Sequence, residues 1–336
     1  MPEKILKVDN CRVYYFTSRG INKALDNINF EIYKGEILGI AGESGCGKST
    51  LIKSLYGMIL PPLKVVEGKI LLFDNNDTID LFSLSDESLR NLRWKYISYM
   101  PQGSMNVMNP VVRIEEQFFE VLDKRTEGTK KISKNQAREI ISNYLRDMGL
   151  PSPSKLLKSY PHQLSGGMRQ RVILAMVTFL NPKIILADEP TTALDVVVQK
   201  GILMMMKKIQ RERKNTLIFV SHDMGVHYQM ADRLLIMYAG KIVELGPKKA
   251  IFENPLHPYT KFLIDSLPRI GEKEKRKGIS GEPPDLLSPP HGCRFHPRCP
   301  YKKKICEDRE PKFIKVSDDH FVACHLFSKK GEMNYG

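Results

Sequence analysis

The sequence predicts an α/β protein: a buried parallel sheet, with an antiparallel β subdomain before it, a helical insertion within it and a small appended module after it. Three observations carry this. The strand pattern GEILGIAG runs into the glycine-rich stretch Gly42-Glu43-Ser44-Gly45-Cys46-Gly47, which opens the helical run KSTLIKSLYGMI. After an interval of helical periodicity, the continuous apolar strands KIILAD and TLIFVSH return, of the kind buried on both faces of a parallel sheet. Beyond Gly246 prolines accumulate, the basic run KEKRK appears, and Cys293, Cys299, Cys306 and Cys324 gather in one stretch.

Taken in order, ILKVDNCRVYYF and LDNINFEIYKGEILGIAG alternate apolar strands with turns, and Lys34-Gly35-Glu36 reads as the turn between two strands. The helix after Gly47 sets Leu51, Ile52, Leu55 and Ile59 on one face. Residues 115–125 and 134–150 read as two more helices. The second has a capping box in Ser133 and Gln136, an apolar face at Ile140, Ile141, Tyr144, Leu145 and Met148, and a stop at Gly149. The division this gives is a core over residues 1–90 and 160–250, a helical subdomain over 91–159 and a C-terminal extension over 251–336. The methionines between Met100 and Met108 and from Met204 to Met206 read as core or interface filler.

With 336 residues, the chain has room for one core of about 200–250 residues plus an insertion or appended module. Its formal charge of +14 suits an anionic partner, whether nucleic acid, a phosphate-rich ligand or the inner face of a membrane, and does not choose among them. No window approaches the roughly 18–20 apolar residues of a spanning helix, and MPEKILKVDN lacks the apolar core of a signal peptide. A cytosolic chain is expected, one that works at a membrane only if other polypeptides span it.

The stretch from Gly42 to Ser49, between a strand and a helix, is a P-loop. Its glycines let backbone N–H groups curl around a phosphate, the helix N-terminus adds positive potential, and Lys48 reaches the terminal phosphates. Gly42, Ser44, Gly45, Cys46, Gly47, Lys48, Ser49 and Thr50 are the expected ATP-binding residues, with Ser49 also holding Mg²⁺. A phosphate cradle needs an acidic partner, and IILADE ends a buried strand on Asp188 and Glu189. Asp188 suits Mg²⁺ binding through water, and Glu189 suits general-base action on the attacking water. Two acids at a strand end also fit an ordinary turn, a reading the P-loop disfavours.

Leu164-Ser165-Gly166-Gly167-Met168-Arg169-Gln170, placed before the acidic strand, resembles the signature motif of the ABC-type ATPases, with Met where that motif commonly has Gln. The resemblance implies an ABC-type P-loop ATPase fold in which Ser165, Gly166 and Gly167 serve a nucleotide held by the opposite subunit. It further implies that Gln102 touches Mg²⁺ and the attacking water, that Ala193-Leu194-Asp195 lies across the dimer interface, and that His222 works near the γ-phosphate. Tyr15 is the implied adenine-stacking residue, with Tyr14 and Phe16 as rivals. Asn254-Pro255-Leu256-His257-Pro258-Tyr259-Thr260, with GCRFHPRCPYKKKIC and a later ACH, is similar to the C-terminal region of ATP-binding subunits of oligopeptide, dipeptide and nickel importers, the dipeptide type above all.

This second resemblance implies an ATPase that energises peptide import from the cytoplasmic face of the cell membrane. Its partners would be a second ATP-binding subunit, related or identical, two membrane-spanning permeases and, indirectly, an external solute-binding protein. A nickel or other small-solute importer is the nearer alternative. A soluble ABC-type ATPase acting on nucleic acid or ribosomes is the further one; with no sustained heptads and no second ATPase core, no nucleic-acid partner is expected. Five, six and seventeen residues separate the four clustered cysteines, which matches neither paired zinc knuckles nor a ferredoxin run. Their clustering in a reducing compartment suggests metal. The resemblance implies a 4Fe-4S cluster on Cys293, Cys299, Cys306 and Cys324; zinc, with His291, His296 and His325 nearby, and disulfides or free thiols are the alternatives. Cys11 and Cys46 read as small buried or loop residues.

Overall fold

The computed structural model describes residues 2–74, 77–104, 107–126, 132–192, 194–267 and 279–327. Two compact units make up the chain, one comprising Met1–Ser83 with Val220–Gly336 and the other Leu84–Phe219. The run KEKRK and Ala193 lie outside the described residues.

In the first unit, strands β1 (Lys4–Thr17) and β2 (Gly20–Tyr33) form a hairpin that sets Lys4 opposite Tyr33 and Thr17 opposite Gly20, with register shifts between those ends. Leu6, Val8, Cys11 and Val13 are buried along β1. The expected turn is present, with Gly35 at φ 76°, and leads into β3 (Ile37–Ala41), buried at every residue. The P-loop opens α1 (Lys48–Leu55), whose Leu51, Ile52 and Leu55 are buried. Sequence periodicity carries this helix to Ile59, but it ends at Tyr56, because Gly57 turns to φ 66° and releases the chain. Strands β4 (Leu63–Asp74) and β5 (Asp77–Asp80) complete an antiparallel sheet in the order β2-β1-β4-β5.

The second unit begins with α2 (Asp86–Leu92), capped by Ser85, and β6 (Ile97–Met100). Four helices come next: α3 (Ile114–Thr126), α4 (Lys134–Asp147), α5 (Pro153–Leu157) and α6 (Gly166–Thr178). Then come β7 (Ile184–Asp188), α7 (Val196–Arg213) and β8 (Thr216–Val220), with β7 between β8 and β6. The capping box of α4 forms as the sequence predicts, and Gly149 stops the chain at φ 67°. Ile141, Tyr144, Leu145 and Met148 are buried, whereas Ile140, placed on the same face by the sequence, is 41% exposed. The buried face is narrower than the apolar run. Tyr144 and Phe118 each meet the edge of Phe179, and the Tyr144 hydroxyl is 2.7 Å from that of Thr178, so α3, α4 and the end of α6 share one core.

The chain re-enters the first unit through α8 (Met224–Met230), β9 (Arg233–Tyr238), β10 (Lys241–Pro247), α9 (Lys248–Glu253) and α10 (Pro258–Asp265). It closes with α11 (Ile305–Asp308), β11 (Phe313–Ser317) and β12 (His320–Ala323). β3 pairs in parallel with β9, β9 antiparallel with β10, and β12 adds to β10 at Glu244 opposite Val322. Strand β12 is therefore part of the sheet that carries the P-loop. Among the filler methionines, Met100, Met108 and Met206 are buried and Met204 is exposed; Met105 lies outside the described residues.

Candidate functional site

In the first unit the P-loop connects β3 to α1, and its glycines are needed for two different reasons. A Cβ at Gly42 or Gly47 would collide with the carbonyl oxygens of Met237 and Ala24, while Gly45 has open space around it and is required by its φ of 78°. Gly47 also stands at the N-cap of α1 at φ 106°, with no side chain capping the helix, which leaves first-turn N–H groups facing the loop. That is an anion cradle, and it fits ATP phosphates. The Lys48 ammonium donates to the carbonyls of Gly42 (2.7 Å) and Glu43 (2.8 Å), so the cation is tied to the mouth of the loop. Ser44 is exposed, Ser49 half-buried, and Cys46 and Thr50 are buried beside them.

The three aromatic candidates have different partners. Tyr15 places its hydroxyl 3.3 Å from Thr50 Oγ1 and so reaches α1. Tyr14 instead donates to Asp26 at 2.8 Å, and the Phe16 ring faces the Lys64 ammonium at 5.3 Å. His222, after β8, is exposed. Its neighbour His227 is fully buried, bonded through Nε2 to the Ser221 carbonyl at 3.0 Å, and burial pushes its pKa down to about 4. His227 is a neutral packing residue under Gly39, where a Cβ would strike its ring.

In the second unit β7 ends on buried Asp188, and Glu189 comes next at φ 50°, a left-handed conformation that non-glycine residues rarely adopt. The Glu189 carboxylate accepts from the Gln102 amide at 3.0 Å and the Thr192 hydroxyl at 2.9 Å. An acid, its orienting amide and a hydroxyl thus converge at one strand end. Gln170, quoted in the signature but given no role by the sequence, is buried and links three segments: it accepts from Ser104 at 3.2 Å and donates to the Pro190 carbonyl. Ser165 caps α6 and accepts from the Met168 N–H at 3.3 Å, with Gly166 and Gly167 in the first turn. Asp195 caps α7 through the N–H groups of Val197 and Val198 at 3.0 and 2.9 Å, beside Val196 and Val197, which are 80% and 82% exposed.

Residues 25–192 match the family model described as ABC transporter, and residues 243–306 match that described as oligopeptide/dipeptide transporter, C-terminal region. The chain belongs to the ATP-binding subunits of ABC transporters. As a member of that ABC ATPase family it is an ATP-hydrolysing enzyme. The dipeptide transport ATP-binding protein DppD of Bacillus subtilis is 44% identical over 333 residues, covering 98% of this chain and 97% of that protein. The oligopeptide transport ATP-binding proteins OppD of B. subtilis and of Salmonella typhimurium are 42% and 39% identical, over 96% and 91% of this chain and 89% of each of theirs. Among solved structures, a bacterial ABC transporter cassette in dimeric form is 30% identical with a TM-score of 0.63, covering 73% of this chain and 99% of that one. A dimeric post-hydrolysis state of that cassette, bound to ADP and Pi, matches equally well, with a TM-score of 0.63 at 30% identity.

One expectation for this ABC subunit is corrected. Among the described residues no three or more His, Cys, Asp or Glu side chains are grouped so as to hold a metal ion, so the 4Fe-4S cluster expected at Cys293, Cys299, Cys306 and Cys324 is not supported. The four are free thiols lining one cavity of about 10 Å³, room for about one water molecule. Burial pushes the thiol pKa of Cys293 up to about 11 and of Cys324 to about 12. His296 and His325 bond the carbonyls of Cys293 and Arg309 at 3.0 and 2.8 Å. Clustering in sequence reflects packing of a small segment here. Cys11 and Cys46 are buried, as the sequence suggests.

Proposed function

We propose that this subunit energises import of dipeptides or short oligopeptides from the cytoplasmic face of the membrane, pairing with a second ATP-binding subunit and driving two permeases fed by an external solute-binding protein. The observation that carries the peptide reading is the match of residues 243–306 to the oligopeptide/dipeptide C-terminal region, in a chain whose near full-length relatives are named for peptide transport. Among the described residues no helix is long and apolar enough to cross a membrane, in keeping with separate permeases. The exposed Val196–Val197 pair beside Asp195 supports a subunit contact there.

Each residue has a role in this reading. The P-loop N–H groups and Lys48 bind the phosphates, Tyr15 stacks on adenine, and Ser49, Asp188 and Gln102 are the Mg²⁺-binding candidates. When bound, Mg²⁺ supplies charge neutralisation at the phosphate oxygens. Glu189, oriented by Gln102 and Thr192, takes the proton of the attacking water. Ser165, Gly166 and Gly167 serve the partner's nucleotide, and His222 the γ-phosphate. In a strain lacking its own dipeptide importer, this chain with its permeases should restore growth on an essential dipeptide. Glu189→Gln should abolish that growth and lower turnover by about a hundredfold while ATP still binds. Growth without the chain, or hydrolysis near wild type in Glu189→Gln, would refute the assignment.

A further inference from the structure

Glu43, the second residue of the P-loop, is held at three points. Its carboxylate receives both terminal nitrogens of Arg298, Nη1 at 2.7 Å and Nη2 at 3.0 Å, a bidentate pair in which the arginine side chain is 6% exposed and the glutamate 24%. Its backbone N–H donates to the Tyr259 hydroxyl at 2.8 Å, and its carbonyl accepts from Lys48 at 2.8 Å. Two of the three holds come from the C-terminal segment.

That segment is anchored so that it can act as a fixed point. Phe295, three residues before Arg298, is buried in an aromatic cluster with Tyr238 (5.2 Å), Tyr259 (5.6 Å) and His257 (5.6 Å). Two further donors of the Arg298 guanidinium go to the Ser280 carbonyl (3.1 Å) and the Tyr238 hydroxyl (3.2 Å). The arrangement fixes one of the two backbone carbonyls to which Lys48 is tied, and hence where that ammonium stands. A planar fork held at both ends fixes orientation as well as distance, which a lysine cannot do.

We propose that the C-terminal segment is a built-in clamp on the P-loop, in which Arg298 and Tyr259 are positioning residues that set nucleotide affinity through Glu43. The proposal rests on the P-loop being this chain's ATP site. The test uses the full chain and MgATP, with steady-state hydrolysis and equilibrium binding of a fluorescent ATP analogue measured side by side. Arg298→Gln should raise KM and the dissociation constant by about tenfold, the scale of one charged hydrogen-bonded pair, with kcat within about twofold. Glu43→Gln should do the same, and the double variant should be no worse than either single one, because both remove one pair. Arg298→Lys should fall between, at about threefold, and it decides the matter if Arg298→Gln fails to fold. An unchanged KM in a folded Arg298 variant, an additive double variant, or a loss confined to kcat would overturn the clamp. A wild-type chain that binds no analogue would overturn the ATP-site reading on which it stands.

Discussion

Replacing Glu244 by alanine removes the acceptor that fastens the end of the chain to β10. The side chain is fully buried and takes three hydrogen bonds: Oε1 from the Leu256 N–H (2.9 Å) and His320 Nε2 (2.8 Å), and Oε2 from the His257 N–H (2.8 Å). Bonds to a carboxylate are worth about 1.5–3 kcal/mol each, and allowing for non-additivity their loss comes to about 5 kcal/mol. Glu244→Gln offers a finer measurement. With its oxygen in the Oε1 place it keeps Leu256 and His320 and sets an amide N–H against that of His257, so about one bond is lost, roughly 2 kcal/mol. Hydrogen exchange reads both variants. The Leu256 and His257 amides should exchange on the order of a thousandfold faster in Glu244→Ala, and the His257 amide alone should respond strongly in Glu244→Gln. Because Tyr259 lies two residues further on and holds Glu43, ATP binding should weaken in step. Equal damage from both variants, or unchanged protection at His257, would refute the reasoning.

Geometry and charge set two further outcomes. Gly47→Ala should abolish ATP binding, since the methyl would meet the Ala24 carbonyl at a backbone φ of 106°, and calorimetric titration of MgATP checks it. Stability should fall as pH drops from 6.5 towards 4, because burial lowers the folded pKa of both His227 and His257 to about 4 from an ordinary 6.5. Over that window the unfolded chain takes up protons that the folded one refuses, and a melting series from pH 7 to 4 should steepen accordingly. His257→Asn keeps an acceptor for the Tyr259 N–H and should flatten that slope.

Local patterns in the sequence are faithful where the cause is local. The P-loop needs particular backbone conformations at consecutive residues, so its glycines are visible in a row, and the Ser133–Gln136 capping box is a bond across three positions. The ABC signature and acidic strand are legible for the same reason. The clamp is not, because Glu43 and Arg298 are 255 residues apart and each alone resembles a solvated charge. Glu244 hides similarly, its acid reading as a surface residue of a strand, and Gln170 bridges segments whose adjacency no periodicity encodes. Ile140 shows the opposite error, apolar by composition yet left at the surface. The cysteines mislead because a shared stretch of chain does not entail shared ligation.

Glu189 sits in a twist that favours glycine or asparagine, and such a position costs of order 1–3 kcal/mol. A laboratory selection for heat resistance alone would thus be rewarded for discarding it: Glu189→Gly relaxes the backbone and loses the carboxylate at a stroke. Thermostabilised descendants of this protein should therefore be sorted by turnover before they are sorted by melting point, because a residue open to improvement by one criterion is, in the proposed reaction, one the other cannot spare.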